Sequence, residues 1–228
     1  MRKWVPWLIS AIVLVAAIAV AAPWLYAKFV AEDDAPAASV STEGARPASG
    51  AVDGDWVVAA GSDPNTTAAG YTVHEILNGE SVTVVGSTHD VSGTATIENG
   101  ALTAAEVTVQ VATIATDSGR RDSQFRGNVM QTDTFPTATF TLDGPVDLSG
   151  VPDDGTVGTV TAPGTLALKD RTQHVDAQIT VLRSGDELIA SGSVPTVWTD
   201  YGVQPPSLGF VTVDGNGSID FLVTFARG

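Results

Sequence analysis

From residue 55 to the C-terminus, hydrophobic and polar positions alternate in short runs broken by turn residues. Ala105-Glu106-Val107-Thr108-Val109-Gln110-Val111 puts Ala105, Val107, Val109 and Val111 on one face. Val175, Ala177, Ile179 and Val181 share a face in the next such run, and Ile219, Phe221, Val223 and Phe225 in the last. A period of two means a strand with one buried face and one wet face. Further strands are expected at 55–60, 70–77, 81–88, 91–98, 137–142, 157–168, 187–198 and 210–214. Asn-Gly at 78–79, 99–100 and 216–217 predicts hairpin turns, because both central residues of the tightest hairpin turn need positive φ. Ser184-Gly185-Asp186 reads as another turn and Lys169-Asp170-Arg171 as a weaker one.

Hairpin-linked strands with one apolar face must bury that face. A barrel does so by closing on itself, a sandwich by pairing two sheets. Runs of about ten residues favour the barrel, but alternation alone leaves both open. One segment breaks the pattern, Asp117 to Met130. Phe125 and Val129 share a helical face there, Asp117 or Ser118 can cap, and Gly127 weakens the helix. The segment predicts a helix of one to three turns closing one end of the domain.

The N-terminus has a different pattern. From Trp4 to Ala27 run 24 uncharged, mostly apolar residues, enough for a helix to cross the hydrocarbon core of a bilayer. Trp4, Trp7, Trp24 and Tyr26 sit at its two ends, and the basic Met1-Arg2-Lys3 precedes it. That arrangement predicts a cytoplasmic N-terminus and an exported C-terminal part, single-pass at the cell membrane. Ala19-Val20-Ala21 offers the alternative of a cleaved signal peptide and a secreted chain. The expected organisation is an anchor at 1–30, a disordered linker rich in Ala, Ser, Pro and Gly at 31–54, and one all-β domain at 55–228.

Charge and composition narrow the function. The net charge is −15, and all 26 acidic but only eight of the eleven basic residues follow residue 30, so the exported part carries −18. Such a surface repels phosphate backbones, which argues against nucleic acid as a partner. Without Cys there are no disulfides, thiolate metal sites or Cys nucleophiles. His74, His89 and His174 have no metal-ligand spacing, and no nucleophile elbow, P-loop or dinucleotide fingerprint occurs. No catalytic residue, metal or cofactor is assigned, and the chain is not read as an enzyme.

Two polar features stand out. Arg120, Arg121 and Arg126 are three of only seven basic residues between 55 and 228. They suit either an anionic head group or ion pairs with nearby carboxylates. Glu75 falls on the same face as Tyr71 and Val73, unless a bulge before Ile76 turns it outward. A buried carboxylate needs a partner, and Arg121 is a candidate.

Several stretches, taken in order, resemble the YceI-like lipid/polyisoprenoid-binding family. They are Asp55-Trp56-Val57-Val58, Gly70-Tyr71-Thr72-Val73-His74-Glu75, Val82 to Thr88, and Val91-Ser92-Gly93. Arg121-Asp122 with Phe125, Phe135-Pro136-Thr137-Ala138-Thr139-Phe140, Gly164 to Leu168, and Asp200-Tyr201-Gly202-Val203 follow. The turn at Lys169-Asp170-Arg171-Thr172 departs from the family pattern. The resemblance implies an antiparallel, lipocalin-like β-barrel with a short helix near one end. It also implies a ligand, an isoprenoid lipid such as a polyprenyl phosphate or an isoprenoid quinone, held in an apolar tunnel. The expected tunnel wall is Val84, Val107, Val109, Phe140, Leu166, Leu168, Ile179, Val181, Phe221, Val223 and Phe225. Phe125, Val129 and Met130 are the expected lid, and Glu75, Arg120, Arg121 and Arg126 the expected head-group contacts or structural ion pairs.

Overall fold

The computed structural model describes residues 37–228 except 78, 208 and 210. The apolar run at 4–27, the rest of the expected anchor and Asn78 lie outside the described residues. No helix among the described residues is long and apolar enough to cross a membrane.

Eleven strands form one sheet: β1 (Gly54–Ala59), β2 (Ala68–Leu77), β3 (Glu80–Thr88), β4 (Val91–Glu98), β5 (Ala101–Gln110), β6 (Thr137–Leu142), β7 (Val146–Asp147), β8 (Val157–Leu168), β9 (Arg171–Ser184), β10 (Glu187–Val197) and β11 (Val211–Arg227). Every strand pair is antiparallel. Eight strands make a ring in the order β1-β4-β5-β6-β8-β9-β10-β11, closed by β11 pairing back onto β1. The fold is therefore a barrel rather than a sandwich, and closure satisfies backbone groups that open sheet edges would leave unpaired. The β2–β3 hairpin pairs along Val211–Leu222 of β11, while β1 takes the last residues of that strand.

Asn99 and Gly100 both have positive φ and join β4 to β5 as expected. Lys169 and Gly185 also have positive φ, at the turns before β9 and β10. Asn216-Gly217 is the exception. It is no turn: Asn216 lies opposite Val197, and Gly217 lies between Thr196 and Val73. The runs at 210–214 and 219–225 are thus parts of one strand, β11, with a register shift between Val213 and Gly217. A glycine is needed there for space, since a Cβ would stand 2.5 Å from the Trp198 ring. Three more inward rings lie on a neighbouring strand's glycine in the same way: Tyr71 on Gly86, Phe140 on Gly164 and Phe221 on Gly192.

The irregular segment forms α1 (Gly119–Gln124), followed by a π-helical turn at Phe125–Val129. Ser118 caps α1 by accepting from the Arg121 amide at 3.5 Å. Buried Asp122 accepts from the Thr116 amide at 2.9 Å and its hydroxyl at 2.8 Å, tying the helix to the preceding loop.

The expected linker differs in part. Its residues 40–46 lie along the outside of the barrel, where Val40 and Ala45 cover Leu182, Ile189 and Leu222. Asn65 clamps Ser41 by accepting from its amide and donating to its carbonyl, both at 2.8 Å. The Val40 amide donates to Ser191 and the Arg46 amide to Ser184, each at 3.1 Å. Polar side chains of the barrel supply the hydrogen bonds that a low-complexity segment lacks, so it lies down as a strap.

Candidate functional site

Inward residues from the ring strands enclose a cavity of about 160 Å³. Nine of the eleven expected wall residues line it: Val107, Val109, Phe140, Leu166, Ile179, Val181, Phe221, Val223 and Phe225. Val84 instead lines a second pocket, described below. Leu168 lies in the packing near the helix and lines neither space. The free space comes largely from alanines. Ala95, Ala105, Ala138, Ala162, Ala177 and Ala190, one from each of six strands, stand where larger side chains would fill the barrel. Ala105 and Ala177 share faces with residues already assigned inward, so the alternation carried that signal. Alanine is simply too small to mark a wall by hydrophobicity.

Asp220 also borders the cavity, but its parity on β11, opposite to that of inward Ile219 and Phe221, turns its carboxylate to the outer face. It is buried, and its carboxylate accepts from Ser193 at 2.6 Å, Thr72 at 2.7 Å and Ser218 at 3.1 Å. Three hydroxyls replace the water it has lost.

A smaller pocket of about 110 Å³ lies beneath the helix. Phe125, Val129 and Met130, the three expected lid residues, line it together with Tyr71, Val73 and Trp198. Tyr71 stacks on Phe125 with ring centroids 5.1 Å apart and meets Trp198 edge-on at 6.4 Å. The residues dividing this pocket from the cavity are apolar. Leu166, Phe140 and Ile219 of the cavity wall pack in the same cluster as Val73, Met130 and Trp198.

Glu75 points inward and is buried, with β2 and β3 in unbroken register around it. The Arg121 guanidinium donates to it at 3.1 Å, to the Thr116 hydroxyl at 3.3 Å, and to Asp117. Burial works against the charge on Arg121, but Glu75 and Asp117 outweigh it and hold the pKa above its ordinary value. The other two arginines are elsewhere. Arg120 is exposed, Arg126 is half-buried, and neither lines the pocket or the cavity. Arg121 and Phe125 are four apart and share the inward helix face, which leaves Arg120 pointing away.

The Trp198 indole N–H is buried without an acceptor. Buried indole donors ordinarily find a partner, and an unmade hydrogen bond of this kind costs about 1–3 kcal/mol. No sequence pattern signals such a group, because its acceptor would come from a remote segment. The three histidines are exposed, with His174 3.0 Å from Asp143. Among the described residues no cluster of His, Asp and Glu is placed to hold a metal ion.

Comparison with known proteins agrees with this architecture. The model of the YceI-like domain family matches residues 61–225. Burkholderia cenocepacia BcnA has a similar structure at 20% identity, with a TM-score of 0.54 over 69% of this chain and 95% of that one. A polyisoprenoid binding domain from Saccharophagus degradans, implicated in plant cell wall breakdown, aligns at 17% identity. Its TM-score is 0.57, over 76% of this chain and 98% of that one. No curated protein matches the sequence. With the family pattern running from just after β1 into the last strand, the chain belongs to the YceI-like domain family.

Proposed function

We propose that the barrel holds an isoprenoid lipid, a polyprenyl phosphate or an isoprenoid quinone, with its chain in the apolar cavity. The observation that carries this reading is the cavity, about 160 Å³ with apolar side chains turned into it from the ring strands. A dry apolar cavity of about 150 Å³ is large enough to take up benzene. A branched hydrocarbon chain is thin, and each buried methylene contributes about 0.8 kcal/mol. A longer chain needs the wall to yield. The polyisoprenoid-binding domain with the same fold supports the ligand class.

The protein acts outside the cytoplasm, held at the membrane by the apolar segment at 4–27, and sequesters or shuttles its lipid there. This rests on the sequence pattern of that segment and the basic residues before it. An exported part of −18 is repelled by anionic head groups, so an anchor rather than surface charge keeps it near the bilayer. Binding needs no catalytic group.

The test is native mass spectrometry and organic extraction of the purified full chain. An isoprenoid is expected to co-purify, or to be taken up from detergent. A protein that neither carries nor takes up any such lipid has a solid core and a different role.

A further inference from the structure

We propose that the barrel faces the bilayer with its helix-bearing end, and that this end is a docking surface for an anionic membrane. Arg120, Arg126, Lys169 and Arg171 are the side chains that meet the lipid phosphates. This rests on the anchored reading above and adds which way the barrel points.

Two observations carry it. The first is the course of the strap. At the β9–β10 turn the Ser49 amide donates to the Gly185 carbonyl at 2.9 Å and the Arg46 amide to Ser184 at 3.1 Å. Further along β10 the Val40 amide donates to Ser191. Ala37 and Ala38 then line an outer groove together with Ala115 and Thr116, in the loop that leads into α1. Followed toward the N-terminus, the strap therefore runs from the far end of the barrel to the helix end. Nine residues, 28–36, separate Ala37 from the apolar segment, and a chain of that length reaches at most about 35 Å. The strap itself takes twelve residues to pass from Ala37 to Ser49. To set the far end on the bilayer, a shorter stretch would have to run back beside the whole strap. The helix end needs no such reversal.

The second is charge. Five of the eight basic residues after residue 30 lie at the helix end. Arg120, Arg121 and Arg126 are on the helix and its π-helical turn, and Lys169 and Arg171 are at the β8–β9 turn. Lys169 donates to the Val129 carbonyl at 3.1 Å, which brings that turn against the lid. Arg121 is committed to Glu75 and Asp117, whereas Arg120 and Arg171 are exposed. The loops at this end, 78–79, 89–90, 111–136, 169–170 and 198–210, hold six acidic residues, which nearly balance the five basic ones. The loops at the other end, 99–100, 143–145, 148–156 and 185–186, hold Asp143, Asp153, Asp154 and Asp186 and no basic residue. Arg183 and Arg227 in the adjoining strands donate to the carbonyls of Gly50, Ala51 and Asp53. Within a screening length of about 10 Å an anionic surface repels the acidic end and accepts the mixed one. The anchor thus supplies proximity and the charge pattern supplies orientation, with Phe125, Val129 and Met130 on the side of the leaflet.

The test uses the full chain reconstituted into vesicles of phosphatidylcholine and phosphatidylglycerol, some lipids carrying a nitroxide quencher on the head group. The chain has no Cys, so a fluorophore on Ser123→Cys in α1 or on Ser149→Cys at the other end reports one place. The 14 residues of β9, rising about 3.3 Å each along a tilted path, hold the two ends roughly 30 Å apart, so the Ser123 label should be quenched at least about fivefold more than the Ser149 label. Arg120→Glu with Arg171→Glu, its fold checked by circular dichroism, should lower quenching at Ser123 on these vesicles and leave it unchanged on phosphatidylcholine alone. Stronger quenching at Ser149, or equal quenching at both ends, overturns the orientation while anchoring stands. Quenching at Ser123 that ignores both the double variant and the lipid charge overturns the role given to the arginines. A chain that does not float with the vesicles overturns the anchored reading and this one with it.

Discussion

At the residue scale, the Glu75–Arg121 pair shows how a charge becomes part of an apolar barrel. Glu75 is inward because of its parity on β2, and its neutralisation depends on a side chain 46 positions away. Arg121→Met would leave the carboxylate buried with no counter-charge, and a loss of about 3 kcal/mol is expected. The double change Glu75→Leu with Arg121→Met should recover most of that loss, since neither charge is then stranded. Urea unfolding of the two variants checks this, and equal losses would show that the pair does not act as a unit. This contact was legible in advance. Strand parity turned Glu75 inward, and basic residues are so few that Arg121 was a natural partner. The unpaired Trp198 N–H was not legible, because a missing acceptor is a property of the whole neighbourhood.

At the element scale, the strands follow from local alternation, and their observed limits stay close to the expected ones. The exceptions are the two-residue β7, which no alternation announced, and β11. Its two apolar runs flank Asp214 to Ser218, a stretch that looks like a hairpin from within. Only the neighbours, Val73 and the Trp198 ring, show that Gly217 is there to make room. Gly164 does the same for Phe140, where an added Cβ would lie 2.3 Å from the ring. Gly164→Ala should therefore displace Phe140 and cost about 1–3 kcal/mol, with the ring resonances of Phe140 shifting; an unperturbed ring would contradict the packing. The short 3₁₀ turn Trp198–Tyr201 supplies a pH dependence. Burial, and then the charge of Asp200, hold the Tyr201 phenol above its ordinary pKa of 10.0. The folded protein keeps a proton that the unfolded chain has already lost, so this contribution is complete below pH 10 and fades as the pH rises through the folded pKa. The stability difference between wild type and Tyr201→Phe should be constant up to about pH 9 and shift against wild type above pH 10. A difference independent of pH would refute the assignment.

At the scale of the whole molecule, the barrel is wrapped as well as closed. Leu182, Ile189 and Leu222 sit on the outer face yet are 1–2% exposed, because the strap covers them. The sequence held a trace of this cover. Val181-Leu182, Leu188-Ile189 and Leu222-Val223 are apolar doublets in alternating strands, so both faces at those points avoid water. What covers the outer face could not be read, because the strap has no period of its own and is held by Asn65, Ser184 and Ser191. Inside and outside can be tested separately. Val109→Trp fills the cavity from β5 at a cost of about 1–3 kcal/mol. It should abolish lipid uptake in native mass spectrometry while the barrel's circular dichroism persists. Val40→Asp does the reverse. It sets a charge against Leu182, Ile189 and Leu222 and should lower stability by about 1–2 kcal/mol, since Val40 is only partly buried. The Ser41 and Ser49 amides, bonded to Asn65 and Gly185, should lose hydrogen-exchange protection first, with lipid uptake unchanged because no cavity residue moves. If Val40→Asp left both stability and exchange untouched, the strap would not hold to the barrel in solution. If it also abolished uptake, the outer cover and the inner cavity would be coupled through the strands between them.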